Sequence, residues 1–375
     1  MEDLEYKLFF AYLRTFGGAV MKRLLYIYGN EKNIFNLSEK ELASQKLSAN
    51  QIAEFVRFKK IYNSERYLNY FHKNKMKLTT VSMPDYPERL KNIPNKPYNL
   101  FYFGSLPSDI EKCVAIIGTR QCSDYGRRIA LDFSGILADN GIQIISGMAQ
   151  GIDGIAGNTA IEHGGKSYAI LGSGIDICYP YSNKGLYEKL IEKGGVISEF
   201  APGTQPKAMN FPVRNRIISG LSDLVLVIEA REKSGTAITV SMALEQGRDV
   251  YAVPGRVDDI LSEGCNKMIT EGAGVAYSTQ PILEALNIRN TVTSHVSEAA
   301  FTKDSAHDLQ IKRYSELCES PLEERIVSIV GNCERGVQYI CDSIPDEPIE
   351  IIQASLFNME MNGVLINTVG HYRLK

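Results

Sequence analysis

Several short stretches of the sequence combine glycine and small hydroxyl residues with arginine or lysine, each directly after an apolar run. Glycine lets a ligand approach the backbone closely, and free amide groups at a helix start favour an anion. Arginine presents a planar fork of donors that suits a phosphate group. These residue types therefore favour the binding of a ligand with several phosphates. For each single loop, an ordinary turn between strand and helix with a surface arginine is the other interpretation. The candidate binding residues are Gly118, Thr119, Arg120, Ser146, Gly147, Gln150, Gly172, Ser173, Tyr181, Lys184, Arg214, Asn215, Arg216, Lys233, Ser234 and Gly235.

Aromatic residues accompany these cations. Tyr179 and Tyr181 precede Lys184, and rings beside a cation can stack on unpaired bases. Packing against the rim of a sheet is the other interpretation, and it suits Tyr179 better than Tyr181. Arg216 follows Arg214 by two positions. A contact with the ligand and a structural ion pair with a carboxylate are equally good interpretations of Arg216.

Residues that could perform catalysis or bind a metal are few. The five histidines are scattered, and the sequence contains neither H-x-x-x-H nor a cysteine pair at C-x-x-C spacing. The glycine-containing loops match neither the dinucleotide fingerprint nor the Walker motif. Asp153, Asp176 and Glu229 stand at strand ends, where carboxylates commonly cap helices or pair with arginine. We expect no catalytic residue, no metal site and no cofactor.

Apolar runs alternate with helical stretches from Val114 onward, and continuous apolar strands separated by helices predict a parallel sheet covered on both faces. The fold class is α/β, with an extended Rossmann-like, doubly wound sheet. Ligands of such sheets bind beyond the carboxyl ends of the strands, where the candidate residues stand. The predicted strands are Val114–Ile117, Ile142–Ile145, Ser167–Leu171, Gly195–Ser198, Asp223–Glu229 and Asp249–Val253.

The chain divides into four predicted parts. Residues 1–75 have apolar positions at helical spacing and caps at Ser38 and Ser48, which predicts a helical bundle of the helix-hairpin-helix or SAM kind. Residues 76–286 form the Rossmann-like domain, beginning with a proline-rich bridging arm over 76–110. Residues 287–318 are polar and predict a linker. Residues 319–375 read as helices followed by a short hairpin, the pattern of a winged helix.

The net charge of −3 over 375 residues excludes nucleic-acid binding through bulk charge, but the distribution is uneven. The charge is +6 over 1–109, −4 over 110–286 and −5 over 287–375. Cations recur in the ligand-side loops of the acidic middle segment, which predicts a local basic groove. Because no apolar run could span a membrane and the seven cysteines lack paired spacing, a cytoplasmic protein is expected.

Together the loops resemble the DprA family, also called Smf, of bacterial DNA-processing proteins. They run in order through about 85–286, and this ordered set is far more specific than any single motif. The matching segments are Tyr86-Pro-Glu-Arg-Leu, Ala115-Ile-Ile-Gly-Thr-Arg120, Ser146-Gly-Met-Ala-Gln-Gly-Ile-Asp153, Gly172-Ser-Gly-Ile-Asp176, Phe211-Pro-Val-Arg-Asn-Arg-Ile217, Lys233-Ser-Gly-Thr236 and Val253-Pro-Gly255.

The resemblance implies a homodimer that binds single-stranded DNA, protects it during natural transformation and loads the RecA recombinase onto it, without catalysis. It implies a phosphate contact for Arg120, and it maps the family's other basic motif residues onto Arg214, Arg216 and Lys233. Two positions depart from the family pattern. Tyr181 and Gln150 stand where many members have a cation, and both changes remove positive charge from the groove.

An enzyme is the alternative interpretation. Phosphoribohydrolases with a related Rossmann-like fold have a Pro-Gly-Gly-x-Gly-Thr loop followed by a catalytic glutamate. The comparable place here reads Lys233-Ser-Gly-Thr-Ala-Ile-Thr, without the doubled glycine, and Glu245 comes a full helix later. A nucleotide sensor that uses the same loops without turnover is a third interpretation.

Overall fold

The structure is a computed structural model, and the chain divides into two compact units, Met1–Val292 and Thr293–Lys375. The predicted linker over 287–318 lies almost entirely outside the described residues. The structure describes residues 1, 3–13, 15–288, 314, 318, 320–330, 335–368 and 371–374.

The first unit begins with short helices that pack around aromatic side chains. Phe9, Phe10 and Phe55 are fully buried in this cluster. Ser38 and Ser48 cap the fourth and fifth helices as the sequence predicts, because the residue three positions on returns a hydrogen bond to each cap. The helices are α1 (Asp3–Tyr12), α2 (Gly18–Tyr28), α3 (Glu31–Phe35), α4 (Glu39–Ser44), α5 (Ala49–Ile61) and α6 (Ser64–Lys73).

A nine-stranded sheet follows, in the order β1-β2-β6-β5-β4-β3-β7-β8-β9. The strands from β3 onward pair in parallel, whereas β1 and β2 join the β6 edge antiparallel. The strands are β1 (Lys77–Thr80), β2 (Asn99–Gly104), β3 (Cys113–Ile117), β4 (Gln143–Ser146), β5 (Ser167–Ile170), β6 (Gly194–Ser198), β7 (Leu224–Val227), β8 (Asp249–Ala252) and β9 (Gly274–Val275).

Helices cover both faces of the sheet, as the sequence predicts. In β3, Ala115 and Ile117 belong to the buried cluster on one face, and Val114 and Ile116 belong to the cluster on the other. The helices are α7 (Glu88–Lys91), α8 (Asp124–Asp139), α9 (Ile152–Glu162), α10 (Lys184–Lys193), α11 (Asn210–Gly220), α12 (Gly235–Glu245), α13 (Glu263–Thr270) and α14 (Gln280–Ala285), with a 3₁₀ turn at Tyr181–Asn183.

The segment expected as a bridging arm contributes β1, α7 and β2 to the first unit, so the sheet is mixed rather than wholly parallel. The N-terminal helices are joined to the sheet by hydrogen bonds. Tyr70 Oη donates to Asp176 Oδ2 (2.9 Å), and Tyr98 Oη donates to Glu31 Oε1 (3.1 Å).

The second unit has its own apolar core. Its three-stranded antiparallel sheet has the order β10-β12-β11. The sequence predicts two of its helices and the hairpin, but not β10 or α16. Over the described residues, no helix of the chain is long and apolar enough to cross a membrane. The elements are α15 (Pro321–Val330), β10 (Arg335–Gly336), α16 (Val337–Ser343), α17 (Ile349–Met361), β11 (Leu365–Thr368) and β12 (His371–Leu374).

Candidate nucleic-acid interface

The strand order creates a crevice at the carboxyl ends of β3 and β7. From β3 the chain adds β4, β5 and β6 on one side and then β7, β8 and β9 on the other. The loops after β3 and β7 therefore diverge, and parallel sheets bind ligands at such a switch point. A cavity of about 610 Å³ lies there, lined by Gly118–Arg120 from the first loop and by Arg231 and Ser234–Thr236 from the second. This volume is within the range of ligand clefts, about 300–1,000 Å³.

The helix start nearest to Arg120 is already occupied. Ser123 caps α8 by accepting a hydrogen bond from the Gly126 amide (3.0 Å). The buried Glu229 carboxylate accepts hydrogen bonds from the Ser123 amide (3.0 Å) and from the Ser123 hydroxyl. The sequence suggested that an anion would bind at this helix start. The structure corrects that expectation, because the protein's own carboxylate lies there.

The start of α12 is arranged differently. Ser234 precedes the helix in an extended conformation and its side chain makes no capping hydrogen bond. Its hydroxyl is buried and has no hydrogen-bond partner among the described residues. An added Cβ at Gly235 would meet nothing within 4 Å, so space is open beside the first amides of the helix. Exposed helical amides and an unpartnered hydroxyl are suited to a phosphate oxygen.

Three cations of these loops have no acidic partner among the residues that the structure describes. Arg120, Arg231 and Lys233 are exposed, and none of the ion pairs within the described part of the chain includes them. Arg120 lies over the Phe211 ring, 5.8 Å from its centre. Arg256, by contrast, is paired with Asp258 through two hydrogen bonds of 2.9 and 2.8 Å. Positive charge is therefore available to a ligand at the β3 and β7 loops.

Arg214 is a buried member of the cavity wall. Its guanidinium donates to the carbonyl oxygens of Gly147 (3.0 Å) and Ile170. Burial lowers the pKa of Arg214 to about 10, the Asp153 carboxylate opposes this shift, and Arg120 adds to it. The group stays cationic at neutral pH. Its main part is to hold the loops after β4 and β5 together.

Asp153 is the acidic counterpart of Arg214. Its Oδ2 accepts a hydrogen bond from the Gly147 amide (3.0 Å). Burial raises the pKa of Asp153, while Arg214 and the Gly147 amide act in the opposite direction. A Cβ at Gly147 would lie 2.7 Å from both Arg214 and Asp153 side-chain atoms, so any larger residue would have to displace one of these buried groups.

Arg216 is committed to a structural ion pair. Its two terminal nitrogens each lie 2.6 Å from an oxygen of Glu199, and its Nε donates to the Asn95 carbonyl (2.7 Å). Both side chains of the pair are largely buried. This pairing is the structural alternative that the sequence left open for Arg216. DNA contact by Arg216 stays a prediction that this arrangement does not favour.

The aromatic wall of the cavity consists of Tyr179 and Phe211, whose ring centres are 5.7 Å apart. Tyr179 is 43% exposed and faces the cavity, whereas sequence reasoning favoured Tyr181 as the stacking residue. Tyr181 is 73% exposed on a neighbouring turn, outside the cavity lining. Its ring centre is 5.8 Å from the Lys184 ammonium, which also lies 3.7 Å from Glu188.

The predicted binding residues thus fall into three groups. Those in the cavity wall are Gly118, Thr119, Arg120, Arg214, Asn215, Ser234 and Gly235. A smaller adjoining cleft is lined by Gly147 and Gln150 together with Arg120 and Tyr179. Those outside both are Ser146, Gly172, Ser173, Tyr181, Lys184, Arg216 and Lys233. Among the latter, the hydroxyls of Ser146 and Ser173 are buried and donate to backbone carbonyls.

The predicted binding residues do not include Arg231, Phe211 or Tyr179. The position of Arg231 soon after the β7 strand was the signal that could have identified it. For Tyr179 the signal was its place near Lys184, which the sequence analysis assigned to packing, and Phe211 gave no such signal, because aromatic residues are as common in packing as in binding. Within the described residues, no cluster of histidine, cysteine and carboxylate side chains is arranged to hold a metal ion.

The fold and its crevice define a Rossmann-like α/β protein, and comparison with known proteins gives the family. A family model described as DNA recombination-mediator protein A matches residues 77–287, more than half of the sequence. The chain belongs to this family. DNA processing protein DprA of Streptococcus pneumoniae is 43% identical over 199 residues, which are 53% of this chain and 70% of that protein. Protein Smf of Escherichia coli is 35% identical over 288 residues, which are 76% of this chain and 74% of that protein.

Solved structures agree with this assignment. The DprA structure from Streptococcus pneumoniae superposes with a TM-score of 0.66 at 35% identity, covering 76% of this chain and 98% of that one. DNA processing protein A of Helicobacter pylori, whose structure was described for its single-stranded DNA binding mode, gives a TM-score of 0.51 at 26% identity. This superposition covers 56% of this chain and 96% of the Helicobacter pylori chain. The mixed α/β fold with a large parallel sheet is thereby confirmed.

Proposed function

We propose that this chain binds single-stranded DNA in the cavity between the β3 and β7 loops and presents it to the RecA recombinase. The observation that carries the proposal is the combination of two cations without an ion pair in the described part of the chain, Arg120 and Arg231, with the open start of α12 at Ser234. Family membership and the DNA-binding relative from Helicobacter pylori support it.

Single strands fit this site better than a duplex. Tyr179 and Phe211 offer ring faces inside the cavity, and a base must leave its pair to stack on a ring. Arginines and amides that contact phosphates do not distinguish bases, so binding should tolerate any sequence. The expected mechanism is capture of the backbone by cations and amides, with bases stacked and largely unread.

Fluorescence anisotropy with labelled single-stranded and duplex oligonucleotides across a salt series tests the proposal. We expect tighter binding of single strands, with the logarithm of affinity falling linearly against the logarithm of salt concentration. Equal affinity for the two forms, or no binding of single strands at low salt, would refute it.

The proposed transfer to RecA and the proposed homodimer need their own measurements. Strand exchange on DNA coated with single-strand-binding protein should be accelerated by this chain, in keeping with a part in natural transformation. Sedimentation equilibrium should give twice the chain mass. We propose no catalytic step, and incubation with nucleoside monophosphates should release no free base.

We also infer a winged helix for the second unit and a helix-hairpin-helix or SAM arrangement for α1–α6. The order α15-β10-α16-α17-β11-β12, with the three strands in one antiparallel sheet, supports the former. The serine-capped short helices around one aromatic core support the latter.

A further inference from the structure

The second unit presents a surface that the proposed DNA cavity does not use. Its helix α17 packs Ile352, Leu356 and Met359 into the core of the unit. The opposite face of α17 is uncovered in the described structure. In a winged helix that binds DNA, this helix would enter the major groove.

The uncovered face of α17 carries large apolar side chains among polar ones. Ala354, Phe357 and Met361 follow one another at positions i, i+3 and i+7, which places them along one side of the helix. Phe357 is 61% exposed, Met361 72% and the neighbouring Ile351 49%. Large apolar side chains that lie together on a protein surface often mark an interaction site.

The charge around this face is wrong for nucleic acid. The sequence has no lysine or arginine from 337 to 372, and it has five acidic residues there. Two of them, Glu350 and Glu360, lie on α17 itself. Proteins bind DNA by neutralising phosphates with lysine and arginine, so this helix would repel a duplex rather than enter its groove.

We propose that α17 is a docking face for a cationic amphipathic helix of a partner protein. The apolar side of that helix would cover Phe357 and Met361, and its lysines or arginines would lie toward Glu350 and Glu360. Apolar grooves take helices in this way, with charge complementarity setting the choice of partner. A second copy of α17 is a poor occupant, because it would bring acidic residues against acidic residues. This inference does not depend on the proposed DNA cavity.

The test uses the full chain and a labelled peptide of leucine and lysine, about 14 residues long, with leucines at helical spacing. A peptide of the same composition in scrambled order is the probe control. The variant Phe357→Ser/Met361→Ser removes the apolar contacts without touching the core. Ile110→Ser/Val257→Ser, which replaces two side chains of the first unit that are 95% and 93% exposed, is the matched control.

We expect the patterned peptide to bind and the α17 variant to weaken it roughly tenfold or more, with the control variant unchanged. Glu350→Lys should weaken binding at low salt and have little effect at high salt, because exposed charges are screened. Thermal unfolding of each variant checks that the second unit is folded.

Three results would overturn the proposal. The first is equal binding of the patterned and scrambled peptides with no effect of the α17 variant. The second is a roughly tenfold loss of affinity for duplex DNA in the α17 variant, which would make the face a nucleic-acid interface. The third is self-association of the chain that the α17 variant abolishes, which would make the occupant a second copy.

Discussion

Replacement of Arg120 by glutamine should weaken binding of single-stranded DNA without destabilising the protein. The guanidinium is exposed, forms no ion pair within the described residues, and lies 5.8 Å from the centre of the Phe211 ring. Its removal therefore leaves no buried carboxylate unpaired. A hydrogen bond from a charged donor contributes about 1.5–3 kcal/mol. The expected loss of affinity is about 10- to 150-fold.

The salt dependence gives a second, independent measure of the same contact. Each phosphate neutralised on a single strand contributes about 0.7 to the slope of log affinity against log salt. Arg120→Gln should lower the slope by about that amount, for every oligonucleotide sequence alike. Arg256→Gln is the matched control, because Arg256 is also exposed but is paired with Asp258. The reasoning fails if Arg120→Gln leaves affinity and slope unchanged, or if both variants lose affinity equally.

Four further substitutions separate structural from binding roles. Arg214→Ala should lower the free energy of unfolding by about 3–5 kcal/mol in urea titrations, because it removes buried hydrogen bonds to the Gly147 and Ile170 carbonyls and the positive charge that favours the ionised Asp153 carboxylate. Since the pKa of Asp153 is already raised and would rise further, this deficit should shrink as pH falls; an equal deficit at pH 5 and pH 8 would contradict the electrostatic interaction of Arg214 with Asp153. Ser234→Asp should leave the unfolding temperature unchanged, because a carboxylate suits a helix start. The same substitution should weaken DNA binding, because the carboxylate repels phosphate. Unchanged DNA affinity in anisotropy titrations would exclude this helix start from the interface. Tyr179→Ala should reduce the binding free energy by about 1–3 kcal/mol in the same titrations, and Tyr181→Ala should reduce it clearly less. A larger loss for Tyr181→Ala than for Tyr179→Ala would place the stacked base outside the cavity.

The sequence predicts the sheet and the edge that carries the site because both depend on local pattern. The alternation of apolar runs with helical stretches predicted the strands β3 to β8, and each predicted strand end lies within two residues of the observed one. The carboxyl ends of parallel strands must share an edge, so Arg120 and Ser234 were brought together correctly. The capping residues Ser38 and Ser48 were also predictable, because a cap and its partner are three residues apart.

The sequence cannot predict which charged groups satisfy one another across the fold. Glu229 fills the start of α8 from a position 106 residues beyond Ser123, and Glu199 holds Arg216 from another element. These partners decide which cations stay available to a ligand, and spacing along the chain carries no signal of them. The strands β1 and β2 were missed for a similar reason, because their proline-rich surroundings favour a loop and only pairing with β6 reveals a sheet.

Photocrosslinking locates the bound DNA on the chain and tests whether it lies in the cavity between the β3 and β7 loops. An oligothymidine with 5-iododeoxyuridine at one position would be irradiated with the full chain, and the crosslinked peptides identified by mass spectrometry. We expect crosslinks at Tyr179 or Phe211, whose rings form the cavity wall. Crosslinks confined to the second unit, for example at the exposed Tyr339, would contradict binding in this cavity.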